Sequence, residues 1–91
     1  MILNYCLKSF EVVVTIENKN FINDPEGETI HKDLILKGGY SNIKSVRTAK
    51  VLKLQVHAKS SLEASELIKK MCDDLRIYNP IVSNCTVTTL T

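Results

Sequence analysis

The sequence predicts a small α+β domain whose elements run β-α-β-β-α-β. Three observations carry this reading: segments of alternating apolar residues, two helix-start signatures ahead of apolar positions at helical spacing, and glycine or proline stops between them. A chain of 91 residues has the length of one domain. Folded compactly, such a chain buries only about 64% of its extended surface, enough for one modest core without a large enclosed site beside it.

Phe10–Glu17 reads as the first strand, with Phe10, Val12, Val14 and Ile16 on one face and Glu11, Thr15 and Glu17 on the other. Residues 1–9 read as a tail or strand extension, and residues 10–91 as the domain. Asp24-Pro25-Glu26-Gly27 starts a helix: Asp24 caps free backbone N–H groups, and Pro25 suits the first helical position, where its missing donor costs nothing. The helix is expected to run to about Lys37, burying Ile30, Leu34 and Ile35, and to stop at Gly38-Gly39.

Ile43–Ala49 and Val51–Ala58 read as two tightly joined strands. The second alternates, with Leu52, Leu54, Val56 and Ala58 inward; the first is out of phase at Ile43 and Val46, which suggests a late start or a bulge. Arg47 and Lys50 then flank a hairpin tip. Ser60-Ser61-Leu62-Glu63 is a capping box, and behind it Ala64, Leu67, Ile68, Met71, Cys72 and Leu75 form an apolar stripe. Asn79-Pro80 ends this region, because a residue before proline avoids the α conformation. Ile81–Leu90, rich in Val and Thr, is the last strand. The order fits a ferredoxin-like sandwich, two helices on one face of an antiparallel sheet. Its open face, with Val13 and Val51, is a candidate interface.

Composition argues for binding. Apolar residues at 44% and charged residues at 24% are ordinary for a soluble domain, while a net charge of +2 and 5% aromatics are a poor basis for nucleic-acid binding. No apolar run is long enough to span a membrane, and Met1–Lys8 lacks the basic and apolar regions of a signal peptide. Cys6, Cys72 and Cys85 are an odd count without a C-x-x-C pair, which points to a reducing cytosol. The sequon Asn84-Cys85-Thr86 is therefore not expected to carry sugar. Cys72 lies on the apolar stripe and is expected in the core. Neither zinc-ligand spacing nor a phosphate loop is present, and no carboxylate pair is set up for acid–base work. A basic tip at Arg47 and Lys50 could touch phosphate or an acidic partner.

Three segments resemble the PurS subunit of phosphoribosylformylglycinamidine (FGAM) synthase. Ile22-Asn23-Asp24-Pro25-Glu26-Gly27, followed by Ile30, resembles that family's helix start. Val46-Arg47-Thr48-Ala49-Lys50 resembles its valine-arginine-x-glycine-lysine hairpin. Met71-Cys72-Asp73-Asp74-Leu75, then Asn79-Pro80-Ile81-Val82, resembles its helix end and step into the last strand. The likeness covers about Phe10 to Leu90. Ala49 departs from the family's glycine, Arg76-Ile77-Tyr78 replaces a leucine-rich, alanine-containing stretch, and Met1–Lys8 has no counterpart in the pattern.

The resemblance implies a dimer, or a dimer of dimers, of β-α-β-β-α-β chains that share strands and helices across the interface. It implies a non-catalytic subunit of an ATP-consuming C–N ligase of purine biosynthesis in the cytoplasm. That subunit joins a glutaminase, which releases ammonia, to a larger synthetase that activates the substrate amide with ATP. Glutamine, ATP and magnesium are then used by the partners, with no cofactor on this chain. Asp24, Pro25, Gly27, Arg47, Lys50, Asn79 and Pro80 are the candidate partner-interface residues. A small-molecule-sensing module of ferredoxin-like fold is the alternative; an acylphosphatase lacks its phosphate loop here, and an RNA-binding module lacks its paired aromatics.

Overall fold

Lys8–Asn18 forms the central strand, β1, of a three-stranded antiparallel sheet in a computed structural model that describes residues 7–90. Its neighbours are β2 (Ala49–Ala58) and β3 (Ser83–Leu90), in the order β2-β1-β3. The register sets Val12 opposite Leu54 and Thr89, and Val14 opposite Leu52 and Val87. Because strand side chains alternate, this pairing collects Phe10, Val12, Val14, Leu52, Leu54, Val56 and Val87 on one face. The expected alternation of β1 and β2 is therefore observed. The strand takes in Lys8 and Ser9; the rest of the expected tail, including Cys6, lies largely outside the described residues.

Helix α2 (Ser61–Asp74) covers that face. Ser60 starts it as expected, its hydroxyl accepting from the Glu63 N–H at 3.1 Å, while the Glu63 carboxylate accepts from Lys59 N–H. Ala64, Ile68 and Cys72, one turn apart, are buried against the sheet. The helix ends where Arg76 takes a left-handed conformation (φ 52°) and the Ile77 N–H reaches back to the Cys72 carbonyl. This is a Schellman-type stop.

Helix α1 (Pro25–Thr29) is short and continues as a π-helical segment, Ile30–Leu36. His31 Nε2–H donates to the Ile43 carbonyl at 2.6 Å, fastening this arm to the chain that follows it. Gly39, at φ 96°, supplies the expected stop.

Two expectations are corrected. The hairpin is not formed: residues 41–48 carry no strand, and β2 begins at Ala49. The misphased Ile43 and Val46 offer no continuous apolar face to pair with. Arg47 thus lies in an irregular segment and Lys50 in the start of β2, with no tip between them. The stripe of the first helix is not buried either: Leu34 is 66% exposed, and Ile30 and Ile35 are only half covered. Only α2 packs extensively on the sheet, nearest β3, while α1 and the π segment pack chiefly on each other. The radius of gyration is 17.8 Å, where a compact chain of this length has about 12 Å.

Candidate partner interface at the end of the sheet

The expected site residues converge on the C-terminal end of β1. Asp24 is the hub. Its carboxylate caps α1 by accepting from the Gly27 N–H at 3.3 Å, and it takes both the backbone N–H and the hydroxyl of Thr48, the hydroxyl lying 2.9 Å from either oxygen. The Thr48 backbone hydrogen bond is the main influence holding the Asp24 carboxyl below the usual carboxylate range. Burial opposes it, and the Thr48 hydroxyl, Gly27 N–H and Arg47 charge assist.

Pro25 occupies the first turn of α1, where no donor is needed. Gly27 is buried because the backbone of residue 46 crosses against it; a Cβ there would collide with the Val46 carbonyl. A close approach, and not a special φ, is what asks for glycine.

Arg47 lies beside this knot. Its Nη2 donates to the carbonyls of Asn18 and Lys19, at 3.2 and 3.1 Å, and so satisfies backbone groups where β1 ends. Lys19 N–H in turn donates to the Val82 carbonyl at 2.9 Å. That bond connects the knot to the turn ahead of β3, where the Asn79 side chain accepts from Ile81 N–H and its carbonyl accepts from Val82 and Ser83 N–H. Asn79 thus sets the entry into β3, and Pro80 sits exposed in the turn. Lys50, opposite Ile16, borders an open cavity of about 560 Å³ together with Glu26, Tyr78 and Ser83. Tyr78 donates to an Asp73 oxygen at 3.0 Å, and this bond, with burial, raises its pKa.

The structure therefore unites Asp24, Pro25, Gly27 and Arg47 directly, joins Asn79 and Pro80 to them through Lys19, and leaves Lys50 on the cavity rim. Thr48 and the carbonyls of Asn18 and Lys19 escaped the sequence reading. Spacing rules connect neighbours on one element, and nothing in local pattern links residue 24 to residue 48. Apolar groups fringe this end: Phe21 is 76% exposed and Ile81 75%. The open sheet face proves mostly polar, with Lys53, Gln55, Thr86 and Thr88 around Val13 and Val51. No group of three or more potential metal ligands occurs among the described residues, and none of their helices is long and apolar enough to cross a membrane.

Residues 11–91 match the family model described as PurS: Phosphoribosylformylglycinamidine (FGAM) synthase. The chain belongs to the PurS family. A PurS subunit of phosphoribosylformylglycinamidine synthase from Archaeoglobus fulgidus is 38% identical over 74 residues, covering 81% of this chain and 90% of that one. The corresponding subunit of Thermotoga maritima is 33% identical over 73 residues, covering 80% and 87%. The crystal structure of a Thermotoga maritima PurS subunit superposes with a TM-score of 0.81 at 32% identity, over 92% of this chain and 94% of that one. A chain in the structure of PurLQS from the same organism gives 0.80 at 31% identity, over 91% and 99%. The PurS assignment made from three short segments is thus upheld along almost the whole chain.

Proposed function

We propose that this PurS-family chain acts in the cytoplasm as a connecting subunit of FGAM synthase, binding a second copy of itself and joining the glutaminase and synthetase. Ammonia passes between those catalytic subunits while this chain holds them together, and glutamine, ATP and magnesium are handled by them. The likeness to a chain of PurLQS supports the reading.

The observation that carries it is the uncovered apolar surface. On α2, Leu67 and Leu75 flank the buried stripe and are 51% and 65% exposed. Leu52 and Leu54, on the side of the sheet farther from β3, are only half covered. The detached first helix carries its own apolar stripe. A second copy's first helix, laid beside α2, would cover both at once and supply the second helix of the sandwich. Such exchange is a low-cost route to a dimer. The knot around Asp24 holds the base of the exchanging arm, and Arg47, Lys50 and the Asn79-Pro80 turn face the catalytic subunits.

Reconstitution tests this. Purified chain is mixed with the glutaminase and synthetase in the presence of glutamine and an adenine nucleotide. Co-elution and restored glutamine-dependent synthase activity are expected. Failure to associate, with activity unaffected by omitting the chain, overturns the proposal. Light scattering on the chain alone should give a dimer or tetramer; a monomer at micromolar concentration removes the exchange.

A further inference from the structure

Cys72 and Cys85 belong to different elements, and the packing of α2 on β3 sets them against each other. The Thr89 hydroxyl lies 3.4 Å from the Ser61 carbonyl, fixing the start of α2 over the end of β3. From there the two elements run in opposite chain directions. Eleven helical residues lead from Ser61 to Cys72, a rise of roughly 16 Å, and four strand residues lead back from Thr89 to Cys85, roughly 13 Å. Both thiols thus reach the same level. A surface groove confirms this register, with Lys69 and Asp73 of α2 facing Cys85 across it. Cys85 is on the helix-facing side of β3, opposite Ile16, and both cysteines belong to the same apolar cluster. Both are free thiols.

We propose that Cys72 and Cys85 form an oxidisable pair that a peroxide-class oxidant closes into an intramolecular disulfide, stapling α2 to β3. The two differ in access. Cys72 is 1% exposed, and burial, followed by the neighbouring Cys85, raises its pKa. Cys85 is half-buried and lines the groove, so it meets the oxidant first. Its thiolate attacks a peroxide oxygen, the O–O bond breaks, hydroxide leaves, and Cys85 becomes a sulfenic acid. The Cys72 thiolate then attacks the Cys85 sulfur, the S–O bond breaks, and a second hydroxide leaves. The two thiol protons and two hydroxides become two waters. The sulfur pair loses two electrons and the peroxide gains them.

The test uses the full chain with Cys6→Ser, treated with hydrogen peroxide, blocked and digested with trypsin. Cleavage after Lys70 and Arg76 separates fragment 71–76, which holds Cys72, from fragment 77–91, which holds Cys85. The expected product is the two fragments joined, two hydrogen masses lighter than their sum, from a chain that does not cross-link to others on a non-reducing gel. Its Tm should rise by several degrees and return on reduction. In Cys6→Ser/Cys85→Ser chain, Cys72 should stay reduced at the same peroxide dose. The proposal is overturned if the fragments remain separate while urea-unfolded chain reacts. It is equally overturned if Cys85 gains two oxygens without joining Cys72, or if the link forms only between chains.

Discussion

The Asp24 carboxylate takes both donors of Thr48, its backbone N–H and its hydroxyl, whose single proton lies within reach of either carboxylate oxygen at 2.9 Å. The same carboxylate caps α1. One side chain thus ties the first helix to the residue just ahead of β2. Asp24→Ala should lower Tm by several degrees, measured by circular dichroism, because it leaves the Gly27 and Thr48 donors without their acceptor. Asp24→Asn, which keeps one carbonyl oxygen, should lose less.

The same contacts give a pH dependence with a definite sign. The folded-state pKa of Asp24 is depressed below its ordinary 3.8. A depressed carboxyl contributes stability above its unfolded pKa and loses it as pH falls through the folded one. Urea midpoints measured from pH 6 downward should therefore decline below about pH 4, more steeply in the wild type than in Asp24→Asn. Equal slopes in the two proteins would remove Asp24 from the acid response.

Gly27→Ala tests the close approach of residue 46. Alanine would gain helix propensity worth about 1 kcal/mol at an exposed site, but here its Cβ meets the Val46 carbonyl, which is backbone and yields only if the chain shifts. A net loss of about 1–3 kcal/mol is expected from urea unfolding. A neutral or stabilised variant would show that the crossing is loose.

Arg76 holds the left-handed position after α2 at φ 52°. Glycine takes that conformation without a Cβ clash. Arg76→Gly should raise stability by about 0.5–1 kcal/mol in the same experiment. No gain would mean that the arginine side chain makes up for the backbone cost.

Arg47 and Lys50 should separate structure from partner binding. Arg47 satisfies two carbonyls, so Arg47→Ala should lower both Tm and affinity for the catalytic subunits. Lys50 is exposed on the cavity rim, and Lys50→Ala should leave Tm unchanged while weakening that affinity by about tenfold. Unchanged affinity in a co-elution or biosensor titration would take Lys50 out of the interface.

Much of the domain was legible in linear order. The alternation in Phe10–Ile16 and Leu52–Ala58, the Asp24-Pro25 and Ser60–Glu63 starts and the Gly38-Gly39 stop all reappear where local chemistry puts them. Such features depend on neighbours within a few residues, and so does the short-motif resemblance to PurS. The failure of the hairpin was itself written in the misphased Ile43 and Val46, a pattern with no face to bury.

The sequence alone determined which faces are apolar, where helices begin and end, and which family the chain resembles. Tertiary structure decided what each face meets. Periodicity marks Leu34 and Leu67 as apolar, but only the packing of α2 on the sheet, nearest β3, and of the first helix on its own π-helical continuation leaves them uncovered. It likewise brought Asp24 to Thr48, Arg47 to the end of β1, and Cys72 to Cys85. These partners are far apart in the chain, and contacts at such separations are set by how the sheet and helices stack.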